Sequence, residues 1–208
     1  MKLQVRRFKS LAIGLKQLQK FILGGQQLYT GKPLEQLGGM RPREAVGNWL
    51  MCAVLSHESE QPWCFTGDPQ GGDGIIYDPA AKRDWPTEHI FVPRVPPGET
   101  RDIDTLIVDD VHAKESKGGA AYAAGKTLIV FIDAGLGEWF PNAVARKLLP
   151  GHFKNVWVVG LQGVSDDGEY TYGVTCLRTG LDARVVGAPV WLVRIHNTFE
   201  SWEAIRQQ

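Results

Sequence analysis

Over the first sixty residues the apolar positions recur at helical spacing. Phe8, Leu11, Ala12, Leu15, Leu18 and Ile22 share one face, which predicts an amphipathic helix over residues 4 to 23, ended by Gly24-Gly25. Residues 24 to 40, rich in glycine and holding Pro33, read as a connection. In "RPREAVGNWLMCAVLSHE" a proline stands in the first turn, and Val46, Trp49, Leu50, Ala53 and Val54 form the buried stripe of a second helix. The period then changes. Ile75–Tyr77 and His89–Val95 read as strands, the second stopped by Pro96-Pro97. Ile103, Leu106, Ile107 and Val111 restore helical spacing toward Tyr122, with Gly118-Gly119 as an interruption. "TLIVFID" and "NVWVVGLQG" are wholly apolar, as strands buried on both faces are, and "PNAVARKLL" between them is a short helix. The chain ends in two strand-like runs, "YTYGVTCL" and "APVWLVRIH", followed by a terminal helix around "ESWEAIR". Helix, strands, helix, strand, helix, strand is an α/β order, with additional strands at the end.

Composition adds little to this picture and charge adds one feature. A chain of 208 residues with 43% hydrophobic and 22% charged residues suits one soluble domain with a full core and an appended segment. Its three cysteines, Cys52, Cys64 and Cys176, are too scattered for a disulfide framework, and no apolar run is long enough to cross a bilayer. A cytoplasmic setting without membrane attachment is the expectation. The net charge of zero conceals an asymmetry: residues 1 to 34 carry seven basic side chains and no acidic one, so the remainder is net negative. The expected organisation is a basic amphipathic helix and linker over 1–40 and an α/β domain over 41–208. The cationic helix face suits phosphate or an acidic partner, although a plain solvated surface explains it as well.

The candidate chemistry lies in "GGDGIIYD", residues 71 to 78, and in "EHIFVPRV", which opens ten residues after Asp78. Glycines frame Asp73 at the mouth of a strand, and Glu88 begins the next. Mg²⁺ takes one or two protein carboxylates and keeps its other positions for water and substrate phosphate. Two carboxylates at the starts of paired strands supply such a set if the segment between them turns back as a hairpin, because paired strands lie ~4.8 Å apart. Each residue also has an ordinary reading: Asp73 as a turn residue, Glu88 as an exposed strand-start charge, Glu44 as a carboxylate favoured in the first turn of its helix. Other chemistries find no support. The five histidines show no zinc spacing, no serine sits in GxSxG, and no glycine-rich loop ends in GK[ST].

A helix with an early Glu44, the "GDGII" strand, the "EHI" strand, a helix and a buried strand together resemble the PD-(D/E)xK nuclease superfamily over residues 41 to 161. The resemblance implies a restriction-endonuclease-like fold, a mixed central sheet flanked by helices, here with an extra N-terminal basic helix. It implies Mg²⁺- or Mn²⁺-dependent hydrolysis of DNA, with Asp73 and Glu88 as metal ligands and Glu44 assisting, and it allows a homodimer. One departure stands out. The superfamily's motif lysine belongs two residues after the acid, and this chain has Ile90 there. Lys114 and Lys117, on the following helix, are the candidates to replace it, whereas His89 points to the other side of its strand. A catalytically silent nuclease-like module that binds nucleic acid or a protein partner is the alternative.

Overall fold

The computed structural model describes residues 8–96, 98, 101–133, 137–149, 151–179 and 187–208. Three helical segments come first: α1 (Leu11–Gly24), the short α2 (Gln26–Thr30) and, after a single 3₁₀ turn, α3 (Pro42–Ser59). Three strands follow, β1 (Cys64–Thr66), β2 (Gly74–Asp78) and β3 (Arg83–Val92). The helix α4 (Ile103–Ala123) leads to β4 (Thr127–Ile132), and α5 (Pro141–Lys147) leads to β5 (Asn155–Val164). The strands β6 (Tyr170–Thr179), β7 (Val190–Ile195) and β8 (Trp202–Arg206) complete the chain.

Among the described residues the eight strands form one sheet in chain order. The first three pair antiparallel, β3, β4 and β5 pair parallel, and β5 to β8 are again antiparallel. Parallel neighbours need a crossover, and α4 and α5 supply the two that this sheet requires. The protein is therefore α/β, with a mixed sheet between helices.

The buried strands divide their side chains between two cores. Along β4, Ile129 and Phe131 face one core while Leu128, Val130 and Ile132 face the other. The first core takes its helical side from α1 and α3, the second from α4 and α5. Because α3 lies between the sheet and α1, it is buried nearly all round, and every residue from Glu44 to Val54 is inside. α1 contributes Leu11, Leu15, Leu18, Phe21 and Ile22 to that same core. Among the described residues no helix is long and apolar enough to cross a membrane.

Four elements differ from the sequence expectation. The first helix begins at Leu11 rather than residue 4: the Ser10 hydroxyl caps it, and Lys9 is drawn into a bridge with Phe65 on β1, while residues 4–7 lie outside those described. The terminal segment is the strand β8 and not a helix. Five residues are too short for a helix that must stand alone, and Trp202 and Ala204 alternate onto the core as β8 pairs with β7. β3 starts at Arg83, five residues before Glu88, and holds Pro86 opposite Ile75 of β2. That proline is tolerated because β3 has a strand on one side only until β4 joins it at Thr87. β1, three residues long, had no sequence signal of its own.

Candidate functional site

β3 changes partner at one residue. Up to Thr87 it pairs with β2, whose last pair is Gly74↔Thr87, and from Thr87 onward it pairs with β4. One step beyond the last β2 pair come Asp73 and Glu88, where the two strands part, and the charge of Glu88 reaches Asp73. Asp73 does what the missing ladder would have done: its Oδ2 accepts the backbone N–H of His89 at 2.7 Å. Gly74 has a φ of 154°, and a methyl group there would stand 2.9 Å from Thr87 Oγ1, so only glycine fits at the parting point.

From this fork the side chains alternate. His89 turns toward α3 and is fully enclosed, close under Gly47. Burial, with help from Arg43, holds its pKa down to about 3, and neither ring nitrogen has a hydrogen-bond partner among the described residues. This histidine is neutral and faces away from the acids. Glu88 turns the other way, toward α4, and its carboxylate is surrounded. Lys126 reaches Oε1 at 2.7 Å, Lys114 reaches Oε2 at 3.1 Å, and the Tyr122 hydroxyl donates to Oε2. Ile90, on the same face as Glu88, packs against the α4 core, so the position where the motif lysine would stand is apolar.

α4 brings its share of this cage by two devices. Glu115, next to Lys114, is buried and tied to Arg178 of β6 at 3.1 Å, and it also accepts the backbone N–H of His152. That pair fixes how the helix is rotated and therefore where Lys114 points. Further along, the helix kinks at Gly119, whose φ of 70° and ψ of 177° are outside the helical region. A side chain at Gly118 would collide with the Tyr122 ring. The two glycines thus let Tyr122 fold back, with Lys126 at 3.9 Å over its ring and Lys114 at 5.6 Å.

The electrostatics divide the three acids. Burial alone would raise the Glu88 carboxyl, but Lys126, Tyr122 and Lys114 outweigh it and hold it below the usual glutamate range. Asp73 is raised, first by burial and then by the charge of Glu88, against the His89 amide that favours its ionised form. Glu44 is raised as well, by burial and by the charge of Asp73. Lys114 is raised because Tyr122 and Glu88 overcome its burial, so it stays an ammonium.

Sequence reasoning named five residues here, and the structure links four of them in a chain: the charge of Asp73 acts on Glu44, and the charges of Glu88 and Lys114 act on Asp73. Glu44 is at the same time a helix cap, accepting the Arg41 N–H at 2.7 Å. Lys117 is exposed and stands off from Glu88, on the rim of a cleft of about 290 Å³ shared with Lys114, Gly118 and Tyr122. Lys126 was missed. Leu128 pairs with Glu88, and a residue two positions before Leu128 shares its face, so a known β3–β4 register would have pointed to Lys126. Among the described residues no three His, Cys, Asp or Glu side chains group as a metal-binding cluster.

No family model matches the chain, and no curated protein does. A solved structure with similarity, the central domain of yeast acetyl-CoA carboxylase, is 11% identical over 69% of this chain with a TM-score of 0.35. The chain spans 24% of that protein's length.

Proposed function

We propose that this chain is a divalent-metal-dependent nuclease acting on DNA, with a restriction-endonuclease-like core over α3 to β4. The observation that carries the reading is that the charge of Glu88 acts on Asp73 where β2 and β3 part, with two lysine ammonium groups on Glu88. The donor set suits Mg²⁺ or Mn²⁺. It consists of hard oxygens, and Asp73 Oδ1 accepts no hydrogen bond among the described residues, since the His89 amide takes Oδ2. Asp73 and Glu88 would be the residues that hold the ion. When bound, the metal polarises the phosphate and lowers the pKa of the attacking water. Lys114 and Lys126 take the place of the lysine that Ile90 displaces, and either ammonium can neutralise charge developing on the phosphate. Glu44 keeps negative potential behind Asp73 and favours a cation there.

A second reading has its own observation. Both oxygens of Glu88 are already engaged, one by Lys126 and the other by Lys114 and Tyr122, which is also how a self-satisfied structural ion cluster looks. In that case the chain is a silent nuclease-like module that binds nucleic acid or a protein partner.

Incubation of the purified chain with supercoiled, linear and single-stranded DNA in Mg²⁺ or Mn²⁺ separates the two. The nuclease reading expects slow nicking that Asp73→Ala abolishes and that Lys114→Ala or Lys126→Ala nearly abolishes. Absence of cutting with either metal, together with no heat of metal binding by calorimetry, would leave the silent module as the better account.

A further inference from the structure

Behind the two acids lies a buried amide that belongs to no core. Asn48 of α3 is 0% exposed and Thr87 of β3 is 1% exposed. The Thr87 hydroxyl donates to Asn48 Oδ1 at 2.9 Å, and Asn48 Nδ2 reaches the backbone carbonyl of Asp73 in a long contact of 3.5 Å. The same nitrogen lies 3.4 Å from Met40 Sδ. The amide fills the space left by Gly74, where any side chain would collide with it.

We propose that Asn48, acting through Thr87, is the positioning residue that sets the separation of Asp73 and Glu88. Its two anchor points are Asp73 itself and the residue just before Glu88, so a single side chain ties together the two strands at the place where their own ladder ends. A fully buried amide is costly unless its hydrogen bonds are made, and an apolar residue would fill the slot without that cost. What the amide adds is a fixed distance between β2 and β3, and with it the placement of the Asp73 carboxylate on the His89 amide. The inference rests on the proposed use of Asp73 and Glu88 as a pair, and its principal readout needs neither metal nor cutting.

The test compares full-length Thr87→Val, which keeps the shape and removes the hydroxyl, with Thr87→Ser, which keeps the hydroxyl. Amide hydrogen exchange is followed at His89, the donor to Asp73, and at Val130 in the centre of β4 as the global reference. Thr87→Val is expected to lose about five- to tenfold in protection at His89 relative to Val130, the effect of one buried hydrogen bond, and to weaken Mn²⁺ binding by a similar factor. Thr87→Ser is expected to restore both. Protection at His89 that is unchanged in Thr87→Val, or that falls only in step with Val130, would overturn the positioning role. A selective His89 response in a protein that binds no Mn²⁺ would sustain the positioning role and remove the nuclease reading alone.

Discussion

At the scale of single residues, three neighbouring carboxylates are pushed in opposite directions by what surrounds them. Glu88 is held ionised by two lysines and a phenol, whereas Asp73 and Glu44 are raised by burial and by the negative charge beside them. A protein gains no stability from burying Glu44 this close to Asp73, and the repulsion is informative for that reason. A carboxyl whose folded pKa is raised contributes stability that is complete below its unfolded value, near 4.5 for Glu44, and lost as pH rises through the folded pKa. Glu44→Gln keeps an oxygen for the Arg41 N–H and removes the charge. We expect this variant to melt at the same temperature as the parent below that pH, and at a higher one at pH 7 to 8. Thermal unfolding across pH checks this, and a lower melting temperature at neutral pH would mean that the cap needs the full carboxylate.

At the scale of elements, α4 shows most clearly what the sequence held and what it withheld. The spacing of Ile103, Leu106, Ile107 and Val111 predicted the helix, and Gly118-Gly119 marked its weak point. Nothing in the sequence indicated that the kink would turn Tyr122 back onto Glu88, because that depends on where β3 lies. The same limit explains the other misses. Lys126 became visible only through the β3–β4 register, and β8 reads as a helix until β7 is there to pair with it. Asp73 was singled out because the glycines around it are a local signal, Glu88 was read as a strand start although β3 begins at Arg83, and α3 was legible because Pro42 and a continuous apolar stripe are local. Substitution at the kink tests its purpose. Gly119→Ala forces a side chain into a backbone region that is nearly exclusive to glycine, at a cost of about 1–3 kcal/mol. The expected result in a denaturant titration is a loss of that size, accompanied by weaker quenching of Tyr122 fluorescence as its hydroxyl leaves Glu88. Full stability in Gly119→Ala would show that the helix straightens without penalty and that the kink holds nothing in place.

At the scale of the whole molecule, the cations are distributed over two faces of the sheet, and only one of those faces carries the Glu88 carboxylate. α1 holds Lys16 and Lys20 of the basic N-terminal stretch, yet it is built into the α3 core through Leu15, Leu18 and Phe21, so removing it removes part of the fold. These cations are partly committed as well: Lys16 pairs with Glu200 at 3.1 Å and donates to the Thr198 carbonyl, and Lys9, just before the helix, donates to the Gln36 carbonyl. Lys20 lies over the Phe21 ring of its own helix. On the other face, Lys117 borders the cleft that also holds Lys114 and Tyr122, on the side where the proposed nuclease reading puts the phosphate. A duplex held by the carboxylate site should therefore meet Lys117 and not Lys20. Each phosphate that the protein ceases to neutralise flattens the dependence of log K on log salt by about 0.9, because its counterions are no longer released on binding. In binding measurements from low to moderate salt, Lys117→Gln is expected to reduce the slope by about that amount, while Lys20→Gln leaves it unchanged. The reverse pattern would put the nucleic acid on the α1 face, with the sheet between it and Lys114, and the carboxylates at the fork would then need another substrate.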